Sequence, residues 1–274
     1  MKMDISNKDP ANMTYMFQFE KTYNVSATDE FMHQHWSDSF VYSAIYLVVI
    51  FSGRYVMTSR ERFDLRPYLA VWSGGLAVFS TLGALRTFPE LIWALSYHGF
   101  EYSCCNSSFL QQGNVSAVWS FLFILSKVVE LGDTLFIILR KQPLIFLHWY
   151  HHVTVLIYVW CSYLPKISTG RYFVVMNFTV HSVMYTYYTL RAMKFRLPRW
   201  ISMFITCCQL AQMVVGIFVI LVSYSVLSAG RECVTSYTNI KYSLTMYFSY
   251  LVLFMHYFYN TYIATKTMVH KKAL

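Results

Sequence analysis

Charge is scarce in this chain: Asp, Glu, Lys and Arg make up 13% of 274 residues, and only 13 residues are acidic. Soluble domains carry about 25% charged residues, so a soluble fold with one hydrated surface is excluded. The first 35 residues are polar and lack the apolar run of a cleavable signal peptide, so none is expected. Apolar residues, by contrast, are abundant, at 56% hydrophobic and 19% aromatic. Stretches near or above the ~20 residues that span a bilayer recur at about 37–57, 67–95, 117–139, 144–164, 172–191, 200–227 and 240–264. The expected fold is all-α: a polytopic membrane protein of seven transmembrane helices. Arg86 and Pro89 interrupt the second span, which is expected to kink there. Residues 1–35 form an N-terminal segment, 36–265 the helical domain and 266–274 a tail.

Basic residues orient the spans. Arg60, Arg62 and Arg66, Arg140 and Lys141, then Arg191, Lys194, Arg196 and Arg199, and finally Lys266, Lys271 and Lys272 fall on one side. The opposite loops hold Lys166, Arg171, Arg231 and Lys241, with Lys2, Lys8 and Lys21 in the N-terminal segment. The positive-inside rule puts the C-terminus in the cytosol and the N-terminus across the membrane. The net charge of +9 is thus a topology signal and requires no nucleic-acid partner. Sequons at Asn12, Asn24, Asn106 and Asn114 fall on the non-cytosolic side, where glycosylation occurs. A further sequon at Asn177 lies in a span and is expected to stay unmodified. Lys271 and Lys272 sit in a terminal KKAL that matches a dilysine retrieval signal of the endoplasmic reticulum. Cys104, Cys105 and Cys233 fall in lumenal loops, so a disulfide from Cys233 to Cys104 or Cys105 is expected.

One span opens with HWYHH. His148, His151 and His152 stand at i, i+3 and i+4, which share a helix face. Ionisable side chains in hydrocarbon are costly and usually face a polar interior, so three imidazoles in one volume point to a reaction centre. Other polar residues lie at similar depth, at ~1.5 Å of rise per residue. They are Lys127, Glu130 and Asp133 on one stripe, Asn177, His181, Tyr185 and Tyr188 on another, then Gln209, Gln212 and His256. Together they outline a cavity in the cytosolic half of the membrane. Each also has a plainer role: mutual neutralisation for the charged stripe, interhelical hydrogen bonds for the glutamines, an interfacial belt for the tyrosines.

Three classes of protein compete for this pattern. A seven-helix receptor fits the span count but has no need of three histidines beside a Lys/Glu/Asp stripe. A di-iron desaturase or hydroxylase uses similar histidine boxes but needs roughly eight imidazoles. Of the nine histidines here, His33, His35 and His98 lie on the lumenal side and His270 in the tail, leaving too few. Zinc on one helical turn is crowded. The third class is acyl transfer from a thioester, in which one imidazole accepts the acyl group and another moves protons. An apolar cavity with a cytosolic polar end suits a fatty acyl-CoA, its phosphates paired with Arg140, Lys141, Arg191, Lys194, Arg196 or Arg199.

Four ordered blocks carry a family resemblance: KVVELGDT at 127–134, HWYHH at 148–152, NFTVHSVMYTYY at 177–188 and TCCQLAQ at 206–212. In these the chain resembles the elongation of very-long-chain fatty acids family, the fatty acid elongases of the endoplasmic reticulum. The tryptophan of HWYHH is most similar to the branch acting on saturated and monounsaturated acyl chains such as palmitoyl-CoA. The resemblance implies a 3-oxoacyl-CoA synthase that joins an acyl-CoA to malonyl-CoA, with its seven helices enclosing an acyl-chain cavity. No metal or redox cofactor is implied, and a downstream reductase and dehydratase are the implied partners, with a homo-oligomer an open alternative. His151 would be the acyl-accepting nucleophile, and His181 would assist proton transfer or stabilise the carbonyl and enolate oxygen. His148 and His152 would orient His151 or bind the malonyl carboxylate. Asn177 would hydrogen-bond a thioester or enolate oxygen, while Lys127, Glu130 and Asp133 hold the site together. Soluble condensing enzymes use cysteine, and Cys207 and Cys208 lie near the right depth for that minority mechanism.

Overall fold

The computed structural model describes residues 15–264, which are helical with no strand among them. The expectations placed on Asn12, Lys271 and Lys272 lie outside these residues. A short helix α1 (Gln18–Lys21) and α2 (Val25–His35) lead into α3 (Asp38–Thr58). There follow α4 (Arg66–Trp93), α5 (Gly99–Cys105), α6 (Val115–Val129), α7 (Gly132–Leu139) and α8 (Phe146–Tyr163). The chain closes with α9 (Gly170–Ala192), α10 (Arg199–Ser228) and α11 (Tyr237–Phe258). Every apolar stretch expected from the sequence is helical. Three runs, Asp38–Thr58, Arg66–Cys105 and Arg199–Ser228, are long and apolar enough to cross a membrane by length and composition.

Local chemistry sets the ends. The side chains of Asn24, Asn114 and Ser236 accept hydrogen bonds from the backbone N–H of Ala27, Ser116 and Asn239, capping α2, α6 and α11. Beyond α7 and α9 the chain turns left-handed at Lys141 (φ 53°) and Lys194 (φ 69°). Past α10 the same turn falls to Gly230 (φ 72°), where no Cβ opposes it. Pro89 does not end α4, which runs on to Trp93. The departure from α geometry comes a turn later, in a π-helical turn at Ala94–His98, and Gly99 (φ 86°) then redirects the chain. The stretch 117–139 is two helices rather than one. Around Leu131 the backbone tightens into i→i+3 bonds, Leu131 N to Val128 O and Thr134 N to Leu131 O, both 3.3 Å.

The helices close into a ring: α4 packs along α9, α9 on α10, α10 on α11, α11 on α8, α8 on α6 and α6 on α4. Helix α3 lies against α7 and α8. Close approach within the ring depends on Gly83, where a Cβ would stand 2.6 Å from the Phe178 ring, and on Gly216, against which Tyr247 is seated. Large apolar side chains such as Phe40, Val48, Val71 and Phe218 face outward, as a lipid-facing surface requires.

Arg171, counted above as a loop charge, and Arg86, which interrupts the second span, both have carboxylate partners inside the protein. Arg171 begins α9 instead of standing in a loop, and it is 1% exposed. It forks onto Glu90 (Nε to Oε2 2.8 Å, Nη2 to Oε1 3.1 Å) and donates to the Ser103 and Asn106 carbonyls and Ser108 Oγ. Arg86 likewise donates to both carboxylate oxygens of Glu20, at 2.9 and 2.5 Å, with Trp119 Nε1 donating to the same group. A disulfide joins Cys105 to Cys233, and Cys104 is a buried free thiol.

Candidate active site

Ile145 is extended (φ −84°, ψ 151°), so α8 starts at Phe146 and its first turns carry the histidines. His148 Nε2 lies 2.8 Å from Thr134 Oγ1, and that hydroxyl also meets Tyr46 Oη at 2.8 Å. The rings of His148 and His152 are 4.5 Å apart, those of His151 and His152 5.6 Å. His151 packs against Tyr250 of α11, centroid to centroid 4.9 Å. Among the described residues the ring nitrogens of His151 have no hydrogen-bond partner, and the ring borders open space. Its lone pair is uncommitted.

That space is a cavity of about 880 Å³. His148, His151, His152, Asn177 and His181 line it together, so the imidazoles predicted from α8 and α9 share one chamber. Asp133, Tyr185, Tyr188, Gln209 and Gln212 line it too. The Asp133 carboxylate is held on both sides, by Trp72 Nε1 and by Tyr185 Oη, each at 2.7 Å. Gln209 donates to Met184 Sδ at 3.4 Å. Six basic residues border the same cavity, Arg66, Arg140, Arg191, Lys194, Arg196 and Arg199, contributed by the ends of α4, α7, α9 and α10 and by the α9–α10 loop. Such a ring of guanidinium and ammonium groups supplies charge-assisted donors for phosphates. Among the described residues no three His, Cys, Asp or Glu side chains are grouped as metal ligands.

Several of the predicted site residues lie outside the cavity lining. Lys127 and Glu130 do not border the cavity; they are buried behind Asn177 and His181. The left-handed turn at Lys141 swings its Nζ away, onto the Arg60 carbonyl at 2.8 Å. His256 is on the exposed face of α11, where Nε2 meets Asn260 Nδ2 at 2.9 Å. Neither Cys207, which is exposed, nor Cys208 reaches the cavity, so the cysteine mechanism has no thiol there. Arg66, Trp72 and Tyr250 belong to the site or its supports although the sequence does not mark them for it. Arg66 was legible only as a topology charge, and nothing in an apolar span marks one tryptophan or tyrosine as a support for Asp133 or His151.

Asn24 is exposed, whereas Asn106 and Asn114 are partly covered and their side-chain oxygens accept from the Ser108 and Ser116 N–H groups.

Comparison with known proteins bears on this chamber. Residues 31–270 match the model of the GNS1/SUR4 family (ELO). The chain is 48% identical over 266 residues to very long chain fatty acid elongase 6 of Drosophila melanogaster, covering 96% of this chain and 84% of that protein. Against the Homo sapiens protein of the same name, identity is 47% over 249 residues, 90% of this chain and 92% of the relative. Human very long chain fatty acid elongase 3 is 43% identical over 243 residues, 89% of each. With the family match spanning nearly all of the chain, and the four histidines and Asn177 in one basic-rimmed cavity, the protein belongs to the GNS1/SUR4 family of fatty acid elongases.

Proposed function

We propose that this enzyme catalyses the condensing step of fatty acid elongation, joining a long-chain saturated or monounsaturated acyl-CoA, palmitoyl-CoA being typical, to malonyl-CoA. The observation that carries the reading is one cavity holding His151 with free ring nitrogens, backed by His148, His152, Asn177 and His181 and bordered by six cations. The chain crosses the endoplasmic reticulum membrane seven times, with its N-terminus lumenal and its C-terminus cytosolic. This puts the basic residues at the end where CoA arrives.

In the first half-reaction the His151 imidazole nitrogen attacks the acyl thioester carbonyl. The C–S bond breaks, the other ring nitrogen gives up its proton, and CoA leaves as a thiol. In the second, malonyl-CoA loses carbon dioxide, and the electron pair released forms the new C–C bond to the acyl carbon. The acyl–imidazole bond breaks and the ring takes up a proton from water, restoring His151 and giving 3-oxoacyl-CoA. Decarboxylation supplies the carbanion, so this chemistry as written needs no metal or redox cofactor. Asn177 on α9 serves the thioester and enolate oxygens, with His181 bonded to its amide from behind. Reduction and dehydration of the 3-oxo product must follow in other enzymes.

Purified protein given palmitoyl-CoA and malonyl-CoA is expected to release carbon dioxide and 3-oxostearoyl-CoA without iron, oxygen or reductant. Acyl label is expected on a peptide containing His151 and to vanish in His151→Ala. Label on a cysteine peptide, or a requirement for iron and an electron donor, would overturn the proposal.

A further inference from the structure

We infer that Lys127 is a positioning residue: through Asn177 and Glu130 it fixes His181 as the neutral imidazole with its proton on Nδ1. The four side chains form a closed, buried cycle between α6 and α9, with relative exposures of 2% for Lys127, 3% for Glu130, 7% for Asn177 and 9% for His181. Lys127 and Glu130 are an i, i+3 pair; Asn177 and His181 are i, i+4. Each pair therefore occupies one helix face, and the two faces meet.

The direction of each bond follows from what each group is able to do. A lysine ammonium only donates. Its Nζ stands 2.7 Å from Glu130 Oε1 and 2.8 Å from Asn177 Oδ1, and 4.3 Å from the centroid of the Phe123 ring. The Asn177 amide must then turn its oxygen to Lys127, which leaves its NH₂ group 3.2 Å from His181 Nε2. An amide NH₂ has no acceptor lone pair, so Nε2 accepts and carries no proton. The proton of the neutral ring lies on Nδ1. That nitrogen faces Glu130 Oε2 at 3.7 Å, an oxygen that is buried and has no hydrogen-bond partner among the described residues. Donor faces acceptor around the whole cycle, and reversing any one member would set like against like.

Two consequences follow for the site, and these rest on the proposed condensing reaction. His181 has its Nε2 lone pair committed, so His151 is the imidazole with a lone pair to give. The group on α9 that meets the substrate oxygen is the second N–H of Asn177, held in place from behind by Lys127 and His181. The tautomer is to this site what a buried carboxylate is to a catalytic histidine elsewhere: it costs nothing at the moment of reaction because it is fixed beforehand.

The test inverts the cycle. Asn177→Asp keeps an oxygen for Lys127 but offers a second acceptor to His181. Two carboxylates then flank the ring, so Nε2 gains a proton at the cost of burying a second pair of charges. Glu130→Gln then repairs the mismatch, because its oxygen still accepts from Lys127 and its amide donates to Nδ1. Each single substitution is expected to lower Tm by about 5 °C or more, and the double variant to recover most of that loss, a coupling that additive damage does not give. Nitrogen-15 spectra of histidine-labelled protein in lipid, with His181 assigned by its loss in His181→Gln, should show Nε2 unprotonated in the native chain and protonated in both Asn177→Asp variants. Condensing activity should stay at least 100-fold down in both, since an aspartate has no N–H to offer. A double variant no more stable than its weaker parent, or a native His181 protonated at Nε2, overturns the inference. Those two readouts need no turnover, so an absence of condensing activity in the native protein would count against the proposed function and leave the tautomer assignment standing.

Discussion

The ring of Tyr250 on α11 lies 4.9 Å from that of His151 on α8, and its hydroxyl meets Thr154 Oγ1 at 2.5 Å, one turn further along α8. The hydroxyl anchors the tyrosine, and the ring in turn restricts where the imidazole can point. Orientation of a nucleophile is worth a large share of its rate: a displacement of about 1 Å costs on the order of 100-fold. Tyr250→Phe keeps the ring and should hold activity within a few-fold. Tyr250→Ala removes the wall and should lower kcat by about 10- to 100-fold, with a smaller change in KM. Steady-state kinetics on the two variants decide it, and an alanine variant with native kcat would show that Tyr250 is only packing.

The basic rim and the outlying cations should separate cleanly in substrate affinity. Arg191 and Arg196 border the cavity, whereas Lys141 is tied to the Arg60 carbonyl and His256 to Asn260. A charge-assisted bond to a phosphate is worth about 1.5–3 kcal/mol, so Arg191→Ala or Arg196→Ala should raise the KM for acyl-CoA by about 10-fold or more. Lys141→Ala and His256→Ala should leave it within twofold. Titrations at two salt concentrations provide the check, because the loss at the rim should shrink as salt rises. An equal effect from Lys141 would mean that it leaves the carbonyl and joins the rim.

These contrasts mark how far the sequence reaches. Helix positions were legible because a bilayer demands about 20 apolar residues at a time, and the shared chamber because i, i+3 and i+4 put His148, His151 and His152 on one face. Counting residues from the cytosolic charges fixes height along a helix but not rotation about its axis. His256 therefore sits at the right depth on the wrong face. Lys141 fails for another reason: one left-handed residue re-aims a side chain, and it falls on a lysine where glycine would have announced it. Arg86 and Arg171 look like isolated charges because their partners stand 66 and 81 residues away, at Glu20 and Glu90. Only the packing of α1, α4 and α9 brings them together.

Arg171 and Glu90 should be far more sensitive to loss of one partner than of both. The pair is all but inaccessible, and the guanidinium also holds the carbonyls of Ser103 and Asn106. Glu90→Ala strands a buried cation, at a cost of about 3–5 kcal/mol. Replacing both with apolar residues, as in Glu90→Leu with Arg171→Met, should recover part of that loss, leaving the cost of the two orphaned carbonyls. Thermal unfolding in detergent of the native protein and the two variants tests the order. If the double variant is the least stable, the pair contributes more attraction than its burial costs.

Glu20 gives the N-terminal segment a pH dependence with a definite sign. Burial raises its pKa, but hydrogen bonds from Arg86, Trp119 and the Phe17 N–H outweigh burial and hold the carboxyl below the ordinary value of 4.5. A depressed carboxyl stabilises the fold fully above the unfolded value and loses that contribution as pH falls through the folded one. Docking of α1 onto Arg86 should therefore be flat from about pH 5.5 to 8 and should loosen only below about pH 4. Limited proteolysis of the segment across that range is the measurement. Glu20→Gln should loosen it at every pH, and a native protein that releases the segment near pH 6 would contradict the assignment.

The link between Cys105 and Cys233 closes a loop of 128 residues that contains α6 to α10. Cross-linking so long a stretch removes much unfolded-state freedom, worth roughly 5 kcal/mol in the chain-entropy account. The same bond ties the end of α5 to the segment between α10 and α11, where Val234 N also donates to the Cys105 carbonyl at 2.9 Å and Ser168 N to the Val234 carbonyl at 3.0 Å. Removing the bond should thus loosen three connections at once. Cys105→Ser with Cys233→Ser should lower Tm by about 8 °C or more and abolish the response to reductant, while the native protein loses a similar amount when reduced. Cys104→Ala should change neither the response nor the mass of the linked peptide, because Cys104 is a buried free thiol. A linked peptide that disappears in Cys104→Ala would instead place the bridge on the neighbouring sulfur.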